Sequence, residues 1–155
     1  MTESLKSLKV RLTKQFNFEM AHALYGYDGP CRNIHGHSYV LEVTVTGEPL
    51  EDPASPKNGM VMDFSELKNI VKEQIISKVD HALVLNADSP HGALTELENH
   101  FEKLIFVPFQ PTCENMLLDF VNVLKMMLPD RVSLHHVLLR ETPKSFAEWY
   151  ATDNS

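Results

Sequence analysis

Residues 31–39 carry the side chains best suited to chemistry in this chain of 155 residues: one thiol and two imidazoles. His35 and His37 open an alternating run that continues through Tyr39 to Val45. On a β-strand, residues two apart project from the same face, so both imidazoles can converge on one cation. The spacing therefore predicts a metal site on one strand face, with Cys31 beside it.

A third histidine belongs to the preceding alternating run, at the C-terminal end of another predicted strand. This run consists of Phe16, Phe18, Met20 and His22. An antiparallel hairpin brings the end of one strand beside the start of the next, which would place His22 next to His35 and His37. Three nitrogen ligands with an open fourth position are typical of catalytic Zn²⁺, whereas structural zinc is usually closed by four ligands. We therefore predict a catalytic zinc site.

Cys31 has two interpretations, because it lies in a loop that contains Gly26, Gly29 and Pro30 and that could direct the thiol either way. As a fourth ligand it would close a structural site of one cysteine and three histidines. As a free thiol beside a dication it would ionise readily and serve as a base or nucleophile. The open coordination position favours the free thiol, and the closed site remains the alternative.

Length and composition limit the class of protein. A chain of 155 residues with 43% hydrophobic content predicts a single domain over residues 1–155. It has no apolar run of membrane-spanning length and no signal-peptide core, so we expect a cytoplasmic protein without a membrane partner. Two cysteines fit a reducing compartment. A net charge of −7 disfavours nucleic acid as a partner.

Alternation and chain-breaking residues predict four strands and two helices. The strands are expected at 10–22, 35–47, about 132–142 and 145–150. The first helix opens with a capping box at Asp63 and Glu66, and the second runs from about Thr112 to Pro129. The order ββααββ predicts an α+β fold, with one four-stranded antiparallel sheet and two antiparallel helices on one face. Such a sheet has an open face and exposed edges, which favours an oligomer.

Two acidic positions and one segment stand apart from this framework. Asp80 directly precedes His81 just after the first helix, so a carboxylate could orient or charge an imidazole there. Glu141 is a carboxylate on an otherwise apolar strand face, which is unusual. Residues 86–110 contain a possible short helix at 93–101 and no recognisable function, and a variable insertion is the simplest interpretation.

A set of separated motifs resembles the 6-pyruvoyltetrahydropterin synthase family over most of the chain. These motifs are Phe18-Glu-Met-Ala-His22, Cys31-x-x-x-His35-Gly-His37, Gly59-Met-Val-Met-Asp63-Phe, Asp80-His81, Pro111-Thr112-x-Glu114-Asn115 and Glu141-Thr142-Pro143. The close spacing of Cys31 to His35 and the ending Glu141-Thr-Pro-Lys-Ser-Phe-Ala-Glu are more similar to the 6-carboxytetrahydropterin synthase branch of queuosine biosynthesis. The long segment 86–110 departs from the family pattern.

The resemblance implies a tunnelling fold (T-fold) whose trimers stack into a homo-hexamer with active sites between subunits. By resemblance, the zinc ligands are His22, His35 and His37, the catalytic residues are Cys31, Asp80 and His81, the pterin anchor is Glu141, and Thr112 and Glu114 line the pterin pocket. The implied reaction converts 7,8-dihydroneopterin triphosphate to 6-carboxytetrahydropterin, acetaldehyde and triphosphate. A pyruvoyl product, formed by loss of triphosphate alone, is the alternative, and a non-catalytic zinc- or pterin-binding protein is the alternative from another class.

Overall fold

The structure of the protein is a computed structural model that describes residues 8–155. Residues 1–7 lie outside the described part, and with them the expectation that the N-terminus lacks a signal-peptide core. The strands are β1 (Val10–His22), β2 (His35–Gly47), β3 (Ala82–Asn86), β4 (Leu104–Val107), β5 (Ser133–Thr142) and β6 (Ser145–Tyr150). The helices are α1 (Phe64–Val71), α2 (Ser77–Val79) and α3 (Cys113–Met127), with a π-helical segment, Lys72–Ile76, between α1 and α2.

The β1–β2 hairpin lies at the centre of the sheet and has the bounds that alternation predicts. Its antiparallel register runs without interruption from the pair Val10 and Gly47 to the pair His22 and His35. The inward-facing residues in the middle of both strands, such as Phe16, Phe18, Leu41 and Val43, are buried, and this burial fixes the register because a slip of one residue would turn them to the opposite face. The hairpin therefore sets which side chains meet at its His22 end.

The sheet has six strands, in the order β4-β3-β1-β2-β5-β6, so the prediction of a four-stranded antiparallel sheet was wrong. β3 pairs parallel with β1, and β4 pairs parallel with β3, whereas the remaining pairs are antiparallel. Both added strands are short, continuous apolar runs, which lack the alternation of a half-covered strand and are typical of parallel pairing.

Segment 86–110 is consequently part of the sheet, because it supplies β4. The helix predicted at 93–101 is absent from this segment, where two 3₁₀ turns, Pro90–Ala93 and Thr95–Asn99, stand instead. Helix α1 begins as expected at Asp63, whose carboxylate accepts a hydrogen bond from the Ser65 N–H. Glu66 pairs with Arg131.

The helices pack on one face of the sheet and close one core. Its members include Phe18 and Leu41 from the hairpin, Leu67 from α1 and Phe120 from α3. Full burial of an aliphatic or aromatic side chain of this size stabilises the fold by about 1.5–3 kcal/mol. The opposite face of β1 is exposed and polar, at Gln15, Asn17 and Glu19 for example. Within residues 8–155, no helix has both the length and the apolar content that crossing a membrane requires.

Candidate active site

Three imidazoles meet at the open end of the β1–β2 hairpin. His22 lies directly opposite His35, and His37 lies opposite Met20 on the same inward-facing side. The ring centroids are 4.5 Å apart for His22 and His35, 5.0 Å for His35 and His37, and 5.4 Å for His22 and His37. One nitrogen of each ring lies within 4.8 Å of the others. We call these three residues the histidine cluster.

Backbone carbonyls fix the tautomers of two rings in the cluster. The Nδ1–H of His22 donates to the Pro111 carbonyl at 2.7 Å, and the Nδ1–H of His35 donates to the Asn33 carbonyl at 2.7 Å. A carbonyl only accepts, so each ring carries its proton on Nδ1 and presents a lone pair at Nε2. These two Nε2 atoms are 3.0 Å apart. Two facing lone pairs at that distance repel each other, and a shared cation removes the repulsion.

The protonation and burial of the cluster also suit a metal ion. Burial lowers the pKa of His22 below its ordinary value, which favours the neutral ring that a metal requires. The Nε2 atom of His37 is buried without a hydrogen-bond partner in the described chain, and it lies 3.5 Å from a Glu141 carboxylate oxygen. Such an orphaned nitrogen costs free energy that a metal bond would recover. The three nitrogen donors therefore fit Zn²⁺.

Cys31 lies beside the cluster without joining it. It occupies a 3₁₀ turn, Pro30–Arg32, and its carbonyl accepts a 3.0 Å hydrogen bond from the Leu24 N–H, which closes the loop between β1 and β2. The thiol is half-buried. The group of ligand atoms within 4.8 Å of one another comprises three nitrogens and excludes this sulfur. In this conformation the site therefore offers three nitrogen ligands, and the Cys31 sulfur does not provide a fourth.

Tyr39 and Cys113 lie next to the cluster and Glu141. Tyr39 stacks on Phe18 at 5.0 Å, and burial raises the pKa of its phenol above the ordinary value, so it stays protonated. Its hydroxyl is buried without a hydrogen-bond partner in the described chain. Burial raises the pKa of Cys113 to about 11, and its thiol donates to the Leu139 carbonyl at 3.4 Å. Cys113 is therefore a packed, unreactive thiol.

The N-terminus of α3 contacts the cluster through Pro111. Thr112 is the N-cap of this helix, and its hydroxyl accepts a 3.2 Å hydrogen bond from the Asn115 N–H. The Asn115 side-chain amide donates to the Gln110 carbonyl at 2.9 Å. Glu114 is exposed in the first turn of the helix. These contacts fix the chain around the Pro111 carbonyl that orients His22, and Thr112 has a capping role whatever else it binds.

Asp80 and His81 form a turn between α2 and β3, which we call the Asp80/His81 turn. One Asp80 oxygen accepts from the Glu19 N–H at 2.9 Å and lies 3.0 Å from His81 Nδ1. The His81 N–H donates to the Glu19 carbonyl at 2.6 Å. The hydrogen bond from the Glu19 N–H is the main reason that the pKa of Asp80 lies below its ordinary value. An ionised carboxylate therefore orients the His81 ring.

The His81 side chain is 76% exposed, and its backbone φ of +62° is the one positive value among non-glycine residues of the described chain. A histidine in the left-handed region is uncommon and is held there by its surroundings. An open cavity of about 850 Å³ is lined by both His37 and His81, with Glu19, Ile34 and Phe101 on its wall. The cavity therefore connects the Asp80/His81 turn with His37 of the histidine cluster.

Sequence reasoning missed the carbonyls of Asn33 and Pro111, because no residue pattern predicts which backbone oxygen will face a ring. Tyr39 continues the alternation that starts at His35, and this position was the one available signal for it. The contacts of segment 86–110 were also missed, since they depend on parallel pairing between strands distant in sequence.

A sequence profile of the 6-pyruvoyl tetrahydropterin synthase family matches residues 11–152. The chain belongs to this family. A 6-carboxy-5,6,7,8-tetrahydropterin synthase of Haemophilus influenzae is 38% identical over 141 residues, which cover 90% of this chain and 97% of that protein. A protein of the same name from Aquifex aeolicus is 33% identical, over 92% of this chain and 98% of its own. A 6-pyruvoyl tetrahydrobiopterin synthase of Dictyostelium discoideum is 39% identical over 60% of this chain and 73% of that protein.

Solved structures agree with this membership. The 6-pyruvoyl tetrahydropterin synthase of Caenorhabditis elegans superposes with a TM-score of 0.65 at 28% identity, over 93% of this chain and 96% of its own. An uncharacterised protein from Wolinella succinogenes superposes with a TM-score of 0.78 at 23% identity, over 94% of this chain and 99% of its own, and supports the fold alone. The α+β architecture with its mixed sheet is therefore that of the family.

Proposed function

We propose that the protein is a zinc-dependent 6-carboxy-5,6,7,8-tetrahydropterin synthase of queuosine biosynthesis. The substrate is 7,8-dihydroneopterin triphosphate, and the products are 6-carboxytetrahydropterin, acetaldehyde and triphosphate. The observation that carries this proposal is the histidine cluster, with its two carbonyl-fixed tautomers, in a chain whose relatives of nearly equal length bear that name. The enzyme is a carbon–oxygen and carbon–carbon lyase.

His22, His35 and His37 hold the metal, and Zn²⁺ when bound supplies Lewis-acid polarisation of a substrate oxygen. The carbonyls of Pro111 and Asn33 keep the His22 and His35 rings in the ligating tautomer, as hydrogen-bonded outer partners of metal-bound histidine commonly do. The chain therefore provides an oriented nitrogen set before the metal arrives.

Cys31 acts as the base that removes a proton from the substrate side chain. Its thiol is half-buried, so substrate can reach it. The hydrogen bond from the Leu24 N–H to the Cys31 carbonyl fixes the loop that holds it. A thiolate is a competent general base when it is held within hydrogen-bond reach of the proton. Cys113, which is hydrogen-bonded and packed, is not a rival for this role.

Asp80 and His81 move a second proton. The ionised Asp80 carboxylate faces Nδ1 of His81 at 3.0 Å, so that the Nδ1–H donates to it and Nε2 is free to take up or release a proton. The exposure of His81 gives that nitrogen access to substrate, and the shared cavity connects it with His37.

Glu141 anchors the pterin. A pterin presents adjacent N–H donors along one edge, and a carboxylate accepts two such donors at once, which fixes orientation as well as affinity. Glu141 Oε1 lies 3.5 Å from His37 Nε2, so a pterin bound there has its side chain beside the cluster. We assign Thr112 and Glu114, at the start of α3, to the same pterin pocket on the resemblance of their motif to that of the family.

The product distinguishes this proposal from its main alternative. The pyruvoyl product arises by loss of triphosphate, whereas the carboxy product with acetaldehyde requires one further water and cleavage of a side-chain carbon–carbon bond. Relatives named for the carboxy product match nearly the whole chain, and this favours cleavage. The shorter match to the Dictyostelium protein is the observation that favours the pyruvoyl alternative.

The working protein is a cytoplasmic homo-hexamer of single-domain subunits. The support is the exposed polar face of β1 and the two edge strands of the sheet, β4 and β6, each of which is hydrogen-bonded to a neighbouring strand on one side only. Light scattering of the zinc-loaded protein tests this assembly.

Incubation of the zinc-loaded protein with 7,8-dihydroneopterin triphosphate tests the reaction. Acetaldehyde is assayed enzymatically and the pterin product is identified by mass. Acetaldehyde released in step with 6-carboxytetrahydropterin supports the proposal, and a pyruvoyl product without acetaldehyde overturns it in favour of the alternative.

Zinc-edge absorption tests the non-catalytic alternative, in which Cys31 closes the site. A sulfur scatterer at about 2.3 Å from zinc in the resting protein would support that alternative. Cys31→Ala is the matched control, because it removes the sulfur that such a site would need.

A further inference from the structure

Segment 86–110 supplies a lysine that binds the Asp80/His81 turn. The Lys103 ammonium donates to the Ser77 and Asp80 carbonyls, at 2.8 Å in each case. The Lys103 carbonyl also accepts a 3.0 Å hydrogen bond from the Leu83 N–H. The residue directly before β4 therefore contacts the turn on its helix side through its side chain and on its β3 side through its backbone.

The two carbonyls belong to the end of the helical run that closes at α2. The last carbonyls of a helix have no partner within the helix, and the helix dipole makes this end attractive to a cation. The Asp80 N–H still donates to the Ile76 carbonyl at 2.8 Å, so Asp80 is the residue at which the helix ends. Lys103 satisfies two carbonyls at this ending, those of Ser77 and Asp80.

The turn is thus held from two sides. Glu19 of β1 binds both members of the pair through its own N–H and carbonyl. Lys103 binds the opposite side of the same turn through the Asp80 carbonyl. His81 has a φ of +62°, a conformation that a non-glycine residue keeps when its surroundings over-determine it. Two-sided attachment provides that constraint.

We propose that Lys103 is a positioning residue for the Asp80/His81 pair, which it holds in the geometry for proton transfer by binding the Ser77 and Asp80 carbonyls. This inference rests on the proposed function, in which the pair moves a proton. Lys103 lines the same cavity as His81, yet its donors are directed to backbone oxygens. It acts through the turn and not on the substrate.

The charge of Lys103 adds to this role. After the Glu19 N–H and the neighbouring His81, Lys103 also helps to hold the pKa of Asp80 below its ordinary value. The carboxylate that orients His81 is thereby kept ionised from one side by hydrogen bonding and from the other by charge.

The test compares Lys103→Met and Lys103→Arg with Lys72→Met, which alters an exposed lysine of the π-helical segment. Steady-state rates are measured on the zinc-loaded protein with 7,8-dihydroneopterin triphosphate. We expect Lys103→Met to lower kcat about tenfold, because misplacement of a proton-transfer group acts on the chemical step. KM should stay within about twofold, since substrate binding does not use this lysine. Lys103→Arg should recover most of kcat, and Lys72→Met should leave it unchanged.

A double-mutant cycle with Asp80→Asn separates positioning from a general loss of stability. If Lys103 acts through the pair, Lys103→Met causes little further loss of kcat in the Asp80→Asn background. An equal loss in both backgrounds, or an increase of KM in place of the fall in kcat, would overturn the inference. Thermal unfolding verifies that each variant is folded, and Lys103→Gln replaces Lys103→Met should the latter not fold.

The cycle also distinguishes this inference from the proposed function. Full activity of Lys103→Met beside an impaired Asp80→Asn overturns the role of Lys103 alone. Full activity of Asp80→Asn overturns the proton relay itself, and the role of Lys103 with it.

Discussion

The histidine cluster and the Asp80/His81 turn differ in burial and in what holds them. His22 is 2% exposed, whereas the His81 side chain is 76% exposed. Two rings of the cluster are oriented through their own Nδ1–H groups, which donate to carbonyls. The turn is oriented through its backbone and the Asp80 carboxylate, which contact the backbone of Glu19.

The difference suits the two kinds of chemistry that we propose for these regions. A metal requires several neutral donors held at fixed distances, and burial favours both conditions. A proton carrier requires access to the substrate and an orienting partner, and the exposed His81 beside an ionised Asp80 has both. If the comparison is right, damage to the two regions should produce separable losses.

The largest expected effect is at the cluster itself. His35→Ala removes one of three nitrogens, so we expect metal affinity to fall by more than the ~100-fold typical of changes in outer partners. Zinc content after dialysis, measured by elemental analysis, should drop together with turnover. His135→Ala, a histidine outside the cluster, should keep its zinc. Retention of full zinc by His35→Ala would contradict the assignment of the histidine cluster as the metal site.

Cys31→Ala should remove turnover without removing zinc. We expect kcat to fall by about 10²–10⁴-fold, the usual contribution of a general base, while zinc content stays unchanged because the cluster has three nitrogens of its own. The matched control is Cys113→Ala, whose thiol is packed and hydrogen-bonded. Wild-type kcat in Cys31→Ala would exclude the thiol from the mechanism, and loss of zinc would make it a ligand.

Glu141→Gln should weaken substrate binding more than it slows the reaction. A hydrogen bond to a charged group is worth about 2 kcal/mol, which corresponds to a ~30-fold loss of pterin affinity. Titration with a pterin ligand, followed by fluorescence, gives the dissociation constant. Glu148→Gln on β6, which pairs with His136 away from the cluster, is the control. Unchanged affinity in Glu141→Gln would require another pterin anchor.

The smallest effect is a pH-dependent stability at the turn. The pKa of Asp80 is lower in the folded chain than its unfolded value of about 3.9, so the stabilisation exists above that value and is lost as the pH falls through the folded pKa. The difference in Tm between wild type and Asp80→Asn should be at most about 2 °C near neutrality, because the site is exposed. It should vanish in acid. Asp130→Asn, an exposed aspartate, should show no such trend, and a difference for Asp80→Asn that persists in acid would contradict the charge argument.

The contrast between the histidine cluster and the Asp80/His81 turn also explains which features the sequence could predict. β1, β2 and β6 have the predicted bounds, because alternation over one buried face determines strand and register together. The meeting of the three histidines follows from two such strands in one hairpin. The position of the turn depends on the parallel pairing of β3 with β1, and the short apolar run of β3 carries no information about its partner. Lys103 was missed for the same reason.

The spacing of these contacts along the chain also sets an order of events during folding. His22 and His35 are 13 residues apart, whereas Glu19 and Asp80 are 61 residues apart. Closing the longer loop costs more chain entropy, and contacts between distant residues form more slowly. We therefore expect the hairpin to bring His22 and His35 together before either the Asp80/His81 turn or the Pro111 carbonyl, 89 residues from His22, has docked.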